Sequence, residues 1–333
     1  MLLNILVSFL LVFILFFFKK KLVLILNIYD YPDSRKVHKK PTPLIGGTLI
    51  YLYIITFCTL TWSLLGKKFL LEFSIFSLNN FIFLNIIIFF IYFIGLIDDK
   101  FKITNFKKLL LLSIFILSLC YQDNSLIPDL IHLSFGISFS IKNLDEIFIF
   151  LIMISFITSM NLFDGINLQA GIFYLINFIF LGYYVGSINI LFIFVIPLMF
   201  FLLLNHRNIC FLGDSGSNLL SFILIYIYLK AYFHSGKIPN LDSIFLFIFL
   251  PCIDALRLFI FRLWVYGNPF KADMNHFHHI LLKKFNFKIT ICISTMFILM
   301  PHLFFIFNLN FFASAILLTM SYSVIFFKTK KII

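Results

Sequence analysis

Charged residues are scarce in this chain. Only 12% of its 333 residues are charged and 62% are hydrophobic, whereas a soluble domain carries about 25% charged residues. A chain of this composition cannot hide its apolar surface from water, which excludes an ordinary soluble globular protein.

Cysteine is equally sparse and gives no sign of a covalent framework. The five cysteines are Cys58, Cys120, Cys210, Cys252 and Cys292. They occur singly, mostly in apolar stretches, and none forms a CxxC pair. We interpret them as small hydrophobic side chains, which excludes a disulfide scaffold or a cysteine-based metal site.

Long apolar runs, in contrast, recur from end to end. Runs of about 16 to 20 residues are near the length that crosses a ~30 Å hydrocarbon core as helix, and lipid offers no partners for unpaired backbone groups. We therefore predict an all-α, polytopic integral membrane protein with ten to eleven transmembrane helices in one domain, 1–333. The predicted segments are 1–18, 44–65, 81–97, 109–121, 146–160, 170–186, 189–204, 217–233, 244–262, 289–307 and 311–327.

The distribution of lysine and arginine predicts the orientation in the membrane. No positive charge precedes the first segment and Lys19, Lys20 and Lys21 follow it, so we interpret it as a retained helix with the N-terminus outside. Of the 26 lysines and arginines, 21 fall on the Lys19 side, which the positive-inside rule makes cytoplasmic. The net charge of +12 therefore reflects topology, and we predict the bilayer rather than a nucleic acid as partner.

Polar clusters also concentrate in the loops of that side. Asp98 and Asp99 end an apolar run as GLIDDK. Two adjacent carboxylates at a membrane boundary repel each other and need compensation, which a hard divalent cation, Mg²⁺ or Mn²⁺, would provide. The alternative is a solvated helix end.

Two further clusters carry acidic residues and glycines. Asn161 and Asp164 are spaced i, i+3 before Asn167 in NLFDGIN, and either bind a sugar or metal or cap the next helix. Asp214 lies in FLGDSGS at the start of a helix, where small residues and exposed N–H groups favour phosphate.

The last cluster contains three histidines, His276, His278 and His279, in GNPFKADMNHFHH. These bind either zinc or phosphate, and without a nearby cysteine we favour a phosphate or diphosphate. The preceding Asp254 and Arg257 are spaced to form an i, i+3 ion pair.

The first basic loop, residues 30–47, combines Arg35 and His38 with Gly46 and Gly47. It is either a positive-inside anchor or an anion-binding loop. Together, these clusters suit metal-assisted transfer of a phosphate group between a soluble nucleotide donor and a lipid acceptor at the cytoplasmic surface.

Five motifs in this order resemble the polyprenyl-phosphate N-acetylhexosamine-1-phosphate transferases, known as glycosyltransferase family 4. The resemblance covers about residues 30–285. The motifs are DYPDSRKVHKKPTPLIGG, GLIDDKFKI with the lysines at 107 and 108, NLFDGIN, FLGDSGS, and PCIDALRLFIFR with GNPFKADMNHFHH. GNPFKAD and HFHH are more similar to the undecaprenyl-phosphate α-N-acetylglucosaminyl 1-phosphate transferase group than to the phospho-N-acetylmuramoyl-pentapeptide transferase.

The resemblance implies roles for individual residues. Asp98 or Asp99 would prepare the lipid phosphate, and Asp214, with Asp99, would bind Mg²⁺. The implied substrate-binding residues are Asn161, Asp164, Asn167, Arg262, His276, His278, His279, Lys107, Arg35 and His38. The reaction would be UDP-N-acetylhexosamine plus undecaprenyl phosphate giving a lipid diphosphate sugar and UMP, in a bacterial inner membrane, as the first membrane step of envelope polysaccharide synthesis.

One departure from the family pattern affects the donor. Where many members have DGxDGLA, this chain has Asp-Gly-Ile-Asn-Leu-Gln-Ala at 164–170, which leaves open whether the sugar is N-acetylglucosamine, another N-acetylhexosamine or N-acetylmuramoyl-pentapeptide. Homodimer formation is also open. A transporter or flippase is the competing class, but it would place ionisable residues near the bilayer midplane rather than at helix ends.

Overall fold

A computed structural model describes residues 2–32, 40–66, 78–126, 130–141, 144–233, 236, 238–269 and 273–330. This part of the chain is helical, with two short hairpin-like pairings, β1 with β2 and β3 with β4. The helices are α1 (Leu2–Leu26), α2 (Gly46–Leu65), α3 (Leu78–Phe101), α4 (Asn105–Gln122), α5 (Asp145–Phe163), α6 (Gln169–Val185), α7 (Ile196–His206), α8 (Gly213–Phe233), α9 (Leu241–Phe247), α10 (Phe249–Tyr266), α11 (Phe277–Lys284), α12 (Phe287–Ile306) and α13 (Phe311–Lys330). The strands are β1 (Tyr29–Asp30), β2 (Thr42–Pro43), β3 (Ile131–His132) and β4 (Ser138–Phe139); a 3₁₀ turn spans Asn124–Leu126 and a π-helical turn, Leu191–Val195, leads into α7.

The all-α prediction is confirmed, since each of the eleven predicted segments contains helix. The number of spans is not. Among the described helices, seven are long and apolar enough to cross a bilayer, or eight if the bent pair α9 and α10 counts as one span. The chain is thus a multi-pass membrane protein, and ten to eleven crossings stay a prediction.

Helix α8 lies at the centre of the bundle. In its most apolar 18-residue stretch 94% of the residues are buried, and it packs against α2, α3, α5 and α6. Buried aromatic side chains, among them Tyr226 and Phe222, fill the surrounding core. This central position matters because α8 begins at the FLGDSGS motif, so the motif is placed at the end of the most enclosed helix.

Helices α9 and α10 meet at an angle of 81°. Helix α10 packs against α5 and α12, while Leu256, Ile260 and Trp264 are exposed on its free side. Two polar residues of α10, Asp254 and Arg262, bond the ring of His276.

A buried ion pair closes the opposite end of the bundle. Lys230 Nζ lies 2.9 Å from Asp123 Oδ2, both side chains are at most 2% exposed, and Lys230 also bonds Ser125. Tyr226 donates its hydroxyl to Asp123 at 2.7 Å. These bonds hold α8 and the loop after α4 in one relative position.

Candidate functional site

A single cavity of about 1230 Å³ opens at the end of the bundle where α3 and α5 finish and α8 begins. It brings together nine of the residues predicted from sequence, although they come from positions as far apart as 98 and 279. These residues are Asp98, Asp99, Asn161, Asp164, Asn167, Asp214, His276, His278 and His279. The clusters therefore form one site.

A lysine that sequence reasoning did not select holds two of the carboxylates together. Lys108 Nζ, at the start of α4, lies 2.9 Å from Asp98 Oδ2 and 2.7 Å from Asp214 Oδ2. The predicted Lys107 is exposed and does not line the cavity, so its role in substrate binding stays a prediction. Neighbouring helical side chains point about 100° apart, so only one of two adjacent lysines can face the site.

Asp98 and Asp99 face different partners. Asp99 accepts the backbone N–H of Asp214 at 2.7 Å and that of Ser215 at 3.0 Å, one on each carboxylate oxygen. It therefore caps the N-terminus of α8 from a different helix, where a negative charge is favoured by the helix dipole. Asp98, in contrast, turns to Lys108 and the cavity.

Gly213 makes this cap possible. Its φ of +73° is a left-handed conformation, and a Cβ there would lie 2.6 Å from Asp99 Oδ2. A side chain at this position would therefore displace the Asp99 carboxylate from the helix end.

Asp164 follows α5 and is partly buried in the same cavity. Burial, together with the nearby charges of Asp214, Asp99 and Asp30, raises the pKa of Asp164 to about 7. The next residue, Gly165, lies against the histidine cluster, because a Cβ on it would clash with the His278 ring. The Asp164 loop and the histidine segment are thus in direct contact.

Amide side chains line the remaining wall. The Asn161 amide lies within hydrogen-bonding reach of Asp214 and donates to Asn218 at 3.4 Å. Asn167 donates to Asn208, in the loop after α7, and Leu168 donates its N–H to Asn205 at 2.7 Å. These bonds join the loop after α5 to the loop that leads into FLGDSGS.

His276 is fixed on both sides of its ring. Its Nδ1 lies 3.3 Å from Asp254 Oδ2 and its Nε2 lies 3.3 Å from the Arg262 guanidinium. A carboxylate only accepts and a guanidinium only donates, so Nδ1 carries the proton and Nε2 accepts. Both ring nitrogens of His276 are therefore occupied in this arrangement.

The other two histidines, His278 and His279, are neutral. His278 is 1% exposed, and neither ring nitrogen has a hydrogen-bond partner within the described residues. Burial holds its pKa well below the ordinary value, and burial with the neighbouring His276 lowers the pKa of His279 to about 4. Since His278 lines the cavity, its nitrogens can bond to a ligand there.

Arg262, predicted to support this site, contacts its residues but does not line the cavity. It makes two hydrogen bonds to Asp273, at 3.0 and 3.1 Å. Burial alone would raise the pKa of Asp273, but the bonds from Arg262 and from the Asn275 N–H outweigh it and lower that pKa. Arg262 thus anchors the segment before the histidines.

The first basic loop is only partly described. The predicted residues Arg35 and His38 lie outside the described residues, while Lys40 lines the cavity with Lys102 and Arg207. The backbone N–H groups of Gly46 and Gly47 donate to Phe211 and Leu212 carbonyls, both at 2.9 Å. Those two amides hold α2 against the FLGDSGS motif and are not available to an anion.

The carboxylates of the cavity could bind a Mg²⁺ ion that is also bound by a phosphate group of the substrate. Within the described part of the chain no group of three or more His, Cys, Asp or Glu side chains is arranged to hold a metal ion. Asp98, Asp99, Asp164 and Asp214 nevertheless line one cavity, and Lys108 pairs with only two of them. Mg²⁺ is bound in nucleotide enzymes by one or two carboxylates plus phosphate oxygens, which these residues can supply.

Comparisons with known proteins agree with this site. Residues 81–232, from α3 to the end of α8, match the family described as glycosyl transferase family 4. The chain is 27% identical over 295 residues to the undecaprenyl-phosphate alpha-N-acetylglucosaminyl 1-phosphate transferase of Pasteurella multocida, covering 85% of this chain and 79% of that protein. It is 25% identical to the enzyme of the same name from Haemophilus influenzae (84% and 79% covered) and 27% identical to that from Thermotoga maritima (89% and 86%).

The resemblance predicted from the five motifs is thereby confirmed.

Proposed function

We propose that this chain, which is similar to glycosyl transferase family 4 proteins, transfers N-acetylglucosamine 1-phosphate from UDP-N-acetylglucosamine to undecaprenyl phosphate and releases UMP. The observation that carries this proposal is the single cavity that joins the Asp98–Asp214 carboxylates to the histidine segment. The relatives that carry this activity in their names cover most of the chain. UDP-linked forms of other N-acetylhexosamines are the alternative donors.

Asp98 is the group we assign to the acceptor. The second pKa of a phosphate monoester is near 6, so the fraction of the lipid phosphate that still carries a proton must lose it before its oxygen attacks the β-phosphorus of the donor. The Asp98 carboxylate faces the cavity beside the Lys108 ammonium. It can take that proton while Lys108 holds the anionic acceptor, and Asp99 is left to fix the start of α8.

The donor occupies the other wall in this proposal. Asn161, Asp164 and Asn167 supply amide and carboxyl groups for the nucleotide sugar. In the histidine segment, His276–His279, the neutral rings of His278 and His279 can each donate one N–H to a phosphate oxygen, while His276 is held by Asp254 and Arg262. Asp214 lies between the two walls and would hold Mg²⁺, or Mn²⁺, which supplies charge neutralisation at the diphosphate and at the leaving UMP.

The cavity is proposed to open to the cytoplasm of a bacterium, with the N-terminus outside. The support is the bias of 21 of the 26 lysines and arginines to this end of the segments. A soluble UDP-sugar and a membrane-bound lipid phosphate can both reach a cavity at this boundary. The product would start an envelope polysaccharide.

The test is release of UMP by purified protein given UDP-N-acetylglucosamine, undecaprenyl phosphate and Mg²⁺, with each omitted in turn. Release that requires all three is expected. Release without the lipid would indicate a hydrolase, and no release with this or other UDP-N-acetylhexosamines would overturn the proposal.

A further inference from the structure

The histidine segment is held from beneath by helix α10. Asp254 accepts the backbone N–H of Phe277 at 3.2 Å and the His276 ring at 3.3 Å. Arg257 donates to the carbonyl oxygen of Asn275 at 2.6 Å. The backbone and ring positions of this segment therefore depend on where these two side chains lie.

Those two side chains are in turn held by the last helix. Tyr322, on α13, donates its hydroxyl to Asp254 Oδ1 at 2.9 Å and accepts from Arg257 Nε at 3.0 Å. Four residues further on, the Phe326 ring stacks under the Arg257 guanidinium at 4.4 Å. Tyr322 is 4% exposed and Asp254 is 3% exposed, so water cannot substitute freely for the hydroxyl.

We infer that Tyr322 is a positioning residue for the donor: through Asp254 and Arg257 it fixes the backbone and the ring orientation of the His276–His279 segment. It lies outside the residues matched by the family, 81–232, and outside the motifs at 30–285. The inference deepens the proposed function and rests on it only for the identity of the donor.

The chemical reason is a shared carboxylate. Asp254 Oδ1 receives Arg257, Tyr322 and the Phe277 N–H, while Oδ2 receives His276. Without the tyrosine hydroxyl, both the carboxylate and the guanidinium lose one buried partner and reorient to recover it. Because the same carboxylate bonds His276, that reorientation moves the ring that faces the cavity.

Tyr322→Phe removes only the hydroxyl and keeps the ring against Phe277, whose centroid lies 4.7 Å away. A hydrogen bond to a charged group contributes on the order of tenfold to an equilibrium. We expect the KM for UDP-N-acetylglucosamine to rise about three- to tenfold, with kcat and the KM for undecaprenyl phosphate within about twofold. Backbone hydrogen exchange should also become faster at Phe277.

Tyr226→Phe is the matched control. Tyr226 is also a buried tyrosine that donates to an aspartate paired with a cation, at 2.7 Å from Asp123, but at the far end of α8. It should lose comparable stability with an unchanged donor KM and unchanged exchange at Phe277. Arg257→Lys keeps the charge but cannot make the several guanidinium bonds to Tyr322, Asp254 and the Asn275 carbonyl. It should therefore raise the donor KM, as Tyr322→Phe does.

The outcomes separate the two proposals. An unchanged donor KM and unchanged Phe277 exchange in Tyr322→Phe would overturn the positioning role, as would equal effects in the Tyr226→Phe control. If the unsubstituted protein releases no UMP, the proposed function fails, while the exchange comparison still decides whether Tyr322 holds the histidine segment.

Discussion

Substitution of Asp99 should mainly lower the stability of the protein, whereas substitution of the adjacent Asp98 should mainly lower its activity. In Asp99→Asn, the amide group can accept only one of the two backbone N–H groups, from Asp214 and Ser215, that the carboxylate accepts at 2.7 and 3.0 Å. The NH₂ group then faces a donor. Loss of an N-terminal cap contributes about 1 kcal/mol, and the helix dipole with the unpaired N–H adds on the order of 1–2 kcal/mol.

We therefore expect Asp99→Asn to lower the free energy of unfolding by about 2–3 kcal/mol. In Asp98→Asn, Lys108 keeps Asp214 as a partner at 2.7 Å, and the new amide oxygen can still accept from the Lys108 ammonium, so stability should change by less than it does in Asp99→Asn. Its activity should nevertheless fall by at least about 100-fold, because an amide cannot take the acceptor's proton.

The assay is denaturant unfolding in detergent alongside UMP release, with both variants measured at the same lipid and metal concentrations. Activity of Asp99→Asn is expected to recover in part at lower temperature, where the weakened helix start is populated in its folded form. The reasoning is refuted if Asp98→Asn is the less stable variant, or if Asp99→Asn is as stable as the unsubstituted protein.

Three further outcomes are expected. Lys108→Met should lower UMP release by about 100-fold or more because two carboxylates lose their counter-charge, and Lys107→Met, at an exposed side chain, should leave it within about twofold; similar losses in both would contradict the assignment. Chelation of Mg²⁺ should abolish release, Mn²⁺ should restore it, and Asp214→Asn should be inactive at every metal concentration while still folded, which thermal unfolding would verify. Metal-free protein should lose a few kcal/mol of stability as pH rises from about 4 to about 7, because the pKa of Asp164 is raised to about 7 and its charged form is disfavoured in the fold. Asp164→Asn should make that dependence shallower, and an equally steep profile in the variant would disprove this.

The helices and the gathering of the site follow from simple features of the sequence. Apolar runs must be helical in lipid, and short loops return to the same side, so the sequence predicts that Asp98, Asp164 and Asp214 lie on one face. The number of membrane crossings is harder to predict than the helices themselves. The 17-residue α6 and the bent α9–α10 pair are apolar, but length and composition alone do not settle whether they cross.

Roles within the clusters depended on side-chain direction and on contacts between distant segments. Asp98 and Asp99 are equivalent in sequence, but successive positions on a helix diverge by about 100°, which sends one to Lys108 and the other to the start of α8. The same rotation separates Lys107 from Lys108, and the sequence alone does not show which of the two faces the site. Tyr322 could not be found at all, because it lies 68 residues after Asp254 in a helix that carries no motif.

Polar groups in the cavity lower the stability of the protein without ligand, and their chemistry indicates what kind of ligand the cavity binds. A buried polar group without a hydrogen bond destabilises a fold by about 1–3 kcal/mol, and His278 has two such nitrogens. Six aspartates line the same cavity, and burial close to one another disfavours their charged forms. An arrangement that destabilises the empty protein on both walls is stabilised by a ligand that is anionic, rich in oxygen acceptors and accompanied by a cation, and a metal-bound nucleotide diphosphate has all three properties.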